Sequence, residues 1–401
     1  MKFNKWTLGL AAVGVVSMAS AVRADEAKLV PLNTALSNTT ISGYVDVAAQ
    51  YNAGNYSTAA GVPAGTAGSK VDNFSLNNVD IALDKPQDES PWAAGYHIDL
   101  NAGTDAVGLA LNGTGSQTTA AAAGTASIAL RQAYVVVRTP VGNGIDWKVG
   151  IQDDIIGYEG NTDGGNPNYT RSIGYSVEPT TLLGMVGTYK ITDAVAVQAG
   201  LVDATTLGLV NSSDKTIAAA IAFTAPDSFG WAKGATLNLG SLLNLEAGGQ
   251  DNYYAGVTIP TPVSALKVGA SFDLVSDANQ SPSNTKGDSG YVIGVYTSFQ
   301  ATDKLSLNLR GEYFDLAGAT TYGPANYVGT SANGNPFTNG KGEEVTATVQ
   351  YNLWANVISR VEFRWDHIDG GRAFGNPSTA VGTTFPNGDS FLLAANLIYT
   401  F

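Results

Sequence analysis

Between Asp389 and Phe401, apolar side chains return at every second position: Phe391, Leu393, Ala395, Leu397, Tyr399 and Phe401. Ser390, Asn396 and Thr400 fall on the other face, interrupted by Leu392, Ala394 and Ile398. A period of two is that of an extended strand whose faces meet different surroundings. The pattern recurs upstream. Val357, Val361, Phe363 and Trp365 oppose Arg360, Glu362, Arg364 and Asp366, and Leu305, Leu307, Leu309 and Tyr313 oppose Ser306, Asn308, Arg310 and Glu312. Tyr291, Ile293, Val295 and Phe299 oppose Gly294, Tyr296, Ser298 and Gln300. Ile145, Trp147, Val149 and Ile151 face away from Asp146, Lys148 and Gln152, and Tyr96, Ile98 and Leu100 face away from His97, Asp99 and Asn101. Near the start, Ile41, Val45, Val47 and Tyr51 oppose Ser42, Tyr44, Asp46 and Gln50. The charges from Arg360 to Asp366 are too many for the core of a β-sandwich. They cannot face lipid either, where Arg or Lys costs about 2–4 kcal/mol at the midplane. The wet interior of a closed barrel accommodates them.

Candidate strands begin near Thr39, Phe74, Ala93, Ile128, Ile145, Thr181, Ala194, Thr216, Trp231, Asn252, Ser264, Gly290, Asp303, Glu343, Asn356 and Asp389, which makes sixteen. Their connections alternate. Those after even-numbered strands are short, as at Thr139 to Asn143, Pro260 to Pro262 and Ala301-Thr302. Those after odd-numbered strands are long and rich in turn formers, as in Asn52 to Asn73, Ala317 to Gly342 and Ile368 to Gly388. The fold expected is all-β: a single transmembrane antiparallel β-barrel of about 16 strands, with short periplasmic turns and long extracellular loops. Two strands resist a simple phase. The second changes face across Asn77-Asn78, which suggests a bulge, and the fourth leaves Arg131 unassigned between two competing faces. Ala120 to Ala126 reads as loop because Gly and Thr flank it.

The N-terminus carries Lys2 and Lys5, then an apolar run from Trp6 to Met18 that is too short to span a bilayer, then small residues ending at Val22-Arg23-Ala24. Residues 1–24 are therefore expected to be a signal peptide cleaved near Ala24, 25–38 a periplasmic N-terminal segment, and 39–401 the barrel. Composition narrows the classes further. With 21 Lys+Arg against 34 Asp+Glu and a net charge of -13, the chain lacks the basic face of a nucleic-acid binder. With no Cys it has neither disulfides nor thiolate metal ligands. Its 47 Gly suit many turns and crowded strands.

The residues expected to line the pore are Asp46, Asp80, His97, Asp99, Lys148, Arg310, Glu312, Arg360, Glu362, Arg364 and Asp366. The connection from Gln152 to Thr180 is expected to fold inward as a constriction. Asp153, Asp154, Glu159 and Asp163 gather near its start, Arg171 follows, and Gly157, Gly160, Gly164 and Gly165 permit tight reversals. Its carboxylates would then face Lys148, Arg310, Arg360 and Arg364 across the lumen and set up a transverse field, and the overall acidity suggests a mild cation preference. Two histidines leave little for catalysis. His97 reads as a pore lining sharing a face with Asp99, and His367 as a solvated loop residue just past a strand end. There is no Gly-x-Ser-x-Gly elbow and no His-rich metal spacing, and Asn161 to Asn166 lacks the ligand run of a calcium loop. No enzyme activity, metal or cofactor is expected.

The segments Ile41-Ser42-Gly43-Tyr44-Val45-Asp46, Phe74-Ser75-Leu76-Asn77 with Val79-Asp80, Arg131-Gln132-Ala133-Tyr134-Val135, Lys148-Val149-Gly150-Ile151 and Gly157-Tyr158-Glu159 together resemble the outer-membrane β-barrel porins called OmpL-like, or beta-barrel porin family 2. Asn168-Tyr169-Thr170-Arg171-Ser172 fits the same resemblance, with Thr170 where Ser is more usual. The resemblance implies an outer-membrane pore, no catalytic residues, and a terminal strand whose Tyr399 and Phe401 are read by the barrel assembly machinery. Passive diffusion of ions and small hydrophilic solutes is the function expected. A sugar-selective porin is the first alternative, with Tyr44, Tyr296 and Phe314 as too sparse a stacking track, and a non-channel surface β-protein or adhesin is the second. The expected partners are outer-membrane lipids, the assembly machinery and small solutes, with a homotrimer left open. On the wall, Leu307→Arg should be costly and Asn308→Arg nearly neutral.

Overall fold

The computed structural model describes residues 38–401 apart from 54–69, 107–126, 204–214, 246–249, 278–288, 317–339 and 375–386. The signal peptide, the N-terminal segment, the Ala-rich stretch and the middles of most long connections lie outside the described residues. Sixteen strands run in chain order: β1 Thr40–Ala53, β2 Asn73–Lys85, β3 Ala94–Gly103, β4 Ser127–Thr139, β5 Ile145–Asp153, β6 Thr181–Lys190, β7 Val195–Asp203, β8 Lys215–Thr224, β9 Thr236–Asn244, β10 Gln250–Pro260, β11 Leu266–Asp277, β12 Ser289–Gln300, β13 Leu305–Asp315, β14 Lys341–Trp354, β15 Val357–Ile368 and β16 Asp389–Thr400. Each pairs antiparallel with its neighbours, and β1 pairs with β16 to close the barrel. Phe401 completes the seam by exchanging backbone hydrogen bonds with Gly43 at 3.0 and 3.1 Å.

The period-two pattern decides which way each side chain turns. Along β16, Phe391, Leu393, Leu397 and Tyr399 are exposed on the outer surface, whereas Leu392, Ala394, Asn396 and Ile398 are buried within. Leu307, Leu309, Val149 and Phe363 are exposed in the same way, and Asn308, Arg310, Glu312, Arg364 and Asp366 are buried inside. Lipid contact removes any penalty for that apolar exterior.

Both doubtful strands contain bulges. The β1/β2 register jumps from Asp46 opposite Asn78 to Val47 opposite Leu76, so Asn77 is the extra residue and both Asn77 and Asn78 turn inward. The β3/β4 register jumps from Asp99 opposite Gln132 to Leu100 opposite Leu130, which makes Arg131 the extra residue and also turns it inward. A bulge places two successive residues on one face, so no single phase could fit either strand. One strand starts later than the alternation predicts. β9 begins at Thr236, not near Trp231, because a 3₁₀ turn over Asp227–Ala232 takes up the intervening residues.

The larger buried apolar clusters lie inside the barrel, where wall residues meet the connection between β5 and β6. One gathers Ile156, Tyr158, Leu182, Val186, Val202, Ala218, Leu242, Tyr254 and Tyr296. The other lies toward the long-connection end, where Ile173 and Val177 of the short helix α1 (Ile173–Val177) meet Val275, Val292, Phe314, Leu316, Ile368 and Phe374.

Candidate functional site: the occupied lumen

The connection from Asp154 to Thr180 crosses the lumen and is gripped by the inner face of β13 to β15. Arg310 on β13 is fully buried. Its guanidinium donates to Glu159 Oε1 at 2.7 Å, to the Thr170 carbonyl at 2.7 Å and to both carboxylate oxygens of Glu344 at 3.0 and 3.2 Å. Two residues along the strand, the Glu312 carboxylate accepts the backbone N–H groups of Ile173 at 2.7 Å and Gly174 at 3.0 Å. These are unpaired donors of the first turn of α1, and an anion beside them is stabilised by the helix end. Ser172 caps the same turn by accepting from Tyr175 N at 2.9 Å.

On β15 the four alternating charges each have a partner. Arg360 donates to the carbonyls of Asp163 at 3.0 Å and Asn166 at 2.6 Å. Glu362 accepts from Thr170 N at 2.9 Å, from Thr170 Oγ1 at 2.7 Å and from Thr348 Oγ1 at 2.7 Å. Arg364 donates to the Arg171 carbonyl at 2.7 Å and holds Asp366 through two bonds of 2.6 and 2.8 Å.

Among direct ion pairs, the expected facing of acids against these wall cations is met by Glu159 with Arg310. Arg360 and Arg364 bind the backbone of the connection instead, because its carbonyl groups need partners once it leaves water. Asp163 pairs within the connection, with Arg171 at 2.9 Å, and Asp153 pairs with Arg131 of β4 at 2.6 Å. The Lys148 ammonium lies 4.8 Å above the Tyr134 ring. Asp154 is held back as well: burial first, and then the neighbouring Asp153 carboxylate, raise its pKa well above the ordinary aspartate value.

Of the four glycines, Gly157 alone takes a positive φ, at +108°, and a Cβ there would meet the Glu178 carboxylate at 2.6 Å. Asn166 closes the Asn161 to Asn166 turn on itself by bonding Gly160 N at 2.9 Å and Gly160 O at 2.7 Å.

The opposite side of the connection rests on apolar wall. Tyr158 stacks on Tyr296 with centroids 3.9 Å apart, and its hydroxyl bonds Thr258 Oγ1 at 3.1 Å. Gly269 makes room for that ring, since a Cβ there would overlap the Tyr158 hydroxyl. Tyr296 and Phe314 are therefore covered, and Tyr44 accepts from Asp163 N at 3.4 Å, so the three form no exposed track.

Along β1 to β4 the wall stays acidic. Asp46 accepts from the amides of Asn77 at 3.1 Å and Asn396 at 3.0 Å, and Asp80 accepts from Asn101 at 3.2 Å. Asp99 is paired with Arg131, whose Nε is 2.7 Å away. His97 differs from expectation: its Nδ1 meets Asp84 at 3.1 Å, not Asp99, and its ring stacks on Tyr134 at 5.2 Å. Asn308 is also no wet position, because it is buried and its amide donates to the Pro167 carbonyl at 3.0 Å. An Asn308→Arg change would displace the connection, so the expected neutrality does not hold.

Sequence reasoning missed Glu344 and the carboxylates of Glu178 and Asp273. Glu178 is pushed well above the ordinary glutamate range by burial and then by Asp273. Between Gln152 and Thr180 only Thr162 is exposed.

The family described as "Putative beta-barrel porin-2, OmpL-like" matches residues 38–401. No curated protein matches the sequence. Among solved structures, the outer-membrane channel DcaP of Acinetobacter baumannii superposes with a TM-score of 0.58 at 13% identity, covering 90% of this chain and 97% of its own. An anion-selective porin from Comamonas acidovorans gives 0.54 at 10% identity, covering 90% and 99%. The trimer form of in-vitro folded OmpT of Vibrio cholerae gives 0.55 at 12% identity, also covering 90% and 99%.

Proposed function

We propose that this chain, which belongs to the OmpL-like beta-barrel porin family and is an outer-membrane channel, passes ions and small hydrophilic solutes by passive diffusion with a mild preference for cations. The observation that carries this reading is the connection between β5 and β6, tied to the inner wall through Glu159 and Arg310. A sixteen-stranded barrel is wide enough for water, and a segment crossing it sets the narrowest path. The guanidinium groups of Arg310, Arg131 and Arg364 are matched by Glu159 and Glu344, by Asp99 and Asp153, and by Asp366. Arg310 and Arg131 each face two carboxylates, which leaves the surplus of charge at these pairs negative. A surplus lining a low-dielectric cleft attracts counter-ions. The anion-selective neighbour has the same fold, so side chains and not the barrel choose the sign.

Reversal potentials across a salt gradient test this. A cation-side potential is expected and an anion-side potential overturns the preference. Conductance and selectivity that ignore deletion of Glu159 to Asn168 overturn the constriction.

Within the same reading, Tyr399 and Phe401 serve as the assembly signal, and unchanged outer-membrane yield after deleting Phe401 would contradict that. Residues 1–24 are removed on export, which N-terminal sequencing of the mature protein checks. A homotrimer is proposed by analogy with the trimeric neighbour, and a heat-labile oligomer in detergent gels would support it. No enzymatic role is assigned, since His97 is held by Asp84 and Tyr134 and His367 turns to the outer surface of β15.

A further inference from the structure

His367 lies within β15, not beyond it, and on the outer face together with Phe363 and Trp365. The register sets Glu343 of β14 directly opposite His367, and His367 directly opposite Asp389 of β16. Three polar groups thus form a row across neighbouring strands at the long-connection end, above the apolar band of Val345, Phe363 and Phe391, and Asp369 joins them from the turn after β15. The carboxylates of Glu343 and Asp369 and a ring nitrogen of His367 present ligand atoms that all lie within 4.8 Å of one another.

The hydrogen bonding fixes how the imidazole is used. Asp389 Oδ1 meets His367 Nδ1 at 2.8 Å and accepts from Trp365 Nε1 at 3.0 Å. A carboxylate on Nδ1 keeps the proton there and turns the Nε2 lone pair outward, as for metal-bound histidines. Nε2 then points toward Asp369, 3.7 Å away. A lone pair facing carboxylates is repulsive unless a second proton or a metal ion lies between them. The nearby Lys341 ammonium bonds Asp315 at 2.7 Å.

We infer that Glu343, His367 and Asp369 bind one divalent first-row transition metal ion, of the zinc or nickel class, with Asp389 as the positioning residue. One imidazole with two carboxylates suits these ions, whereas calcium and magnesium take oxygen ligands alone. Two donors on one zinc ion are at most about 4 Å apart, so side-chain rotation closes the set. The bound ion ties β14 to the segment after β15 on the exterior of the rim. This site lies outside the lumen and does not depend on the channel reading.

The test is calorimetric titration of Zn²⁺ into the full folded chain in detergent, with Ca²⁺ as the comparison ion. One saturable zinc site per chain is expected, abolished by His367→Ala and by Glu343→Gln with Asp369→Asn, and weakened about 10–100-fold by Asp389→Asn. Ni²⁺ should quench Trp365 emission in the parent chain and not in His367→Ala, because the two rings stack at 5.7 Å. Heat-modifiable gel mobility confirms that each variant retains its barrel. Zinc binding that survives His367→Ala, calcium binding of equal strength, or no saturable zinc site in a folded barrel would each overturn the inference.

Discussion

Along β13 to β15 the inner connection is held by Arg310, Glu312, Arg360, Glu362 and Arg364, each hydrogen-bonded to a particular group of the connection, most often a backbone N–H or C=O. Along β6 to β12 the same connection rests through Ile156 and Tyr158 on Leu182, Val186, Val202, Ala218, Leu242 and Tyr296. Hydrogen bonds to charged groups are directional and fix register, whereas apolar contact is indifferent to small shifts. The charged side therefore specifies where the connection sits, and the apolar side keeps it against the wall. The two sides should also fail differently. Loss of a charge strands its partners in a low-dielectric interior, and loss of an apolar contact leaves only a gap or a clash.

Arg310→Met should have the largest effect, about 3–5 kcal/mol, because Glu159 stays buried without its guanidinium and Glu344 keeps only Arg364, 3.7 Å away. Urea titration of the folded barrel measures it, and adding Glu159→Gln should recover part of the loss. Leu307→Arg, on the lipid face and outside both regions, should cost about 2–4 kcal/mol while leaving the conductance of the folded fraction unchanged, which separates wall damage from damage to the connection. Gly269→Val strikes the apolar side by driving Tyr158 from its stack on Tyr296, at about 1–3 kcal/mol. Noisier single-channel current should accompany it, whereas quiet current at the parent level would show that the apolar side does not hold the connection.

The smallest effect is a pH dependence. The folded-state pKa of Glu178 is raised above 4.5 by burial and then by Asp273. Its contribution is complete below that ordinary value and is lost as pH rises through the raised one. Glu178→Gln should flatten this slope in urea titrations repeated across pH.

The charged side was legible in the sequence because Arg360, Glu362, Arg364 and Asp366 alternate with apolar residues and leave one phase possible. The apolar side was not. Leu182, Val186, Val202 and Leu242 point inward on strands that are apolar outward as well, so alternation there has no contrast. Arg131 was hidden for a different reason, since a bulge breaks the period at that residue. The inward course of Gln152 to Thr180 could be suspected from its acids and glycines, yet its partners could not be. Arg360 and Arg364 bind carbonyl oxygens, which every residue carries and no sequence pattern marks.

The central claim is that this connection lines the narrowest part of the water path. Thr162 is its one exposed residue, and the chain has no cysteine, so Thr162→Cys provides a single thiol. Current through one open channel is recorded while a bulky, charged thiol reagent is added. A stepwise fall in Thr162→Cys channels with no response in the parent is the predicted result. Complete modification, verified by mass, with conductance unchanged would contradict it.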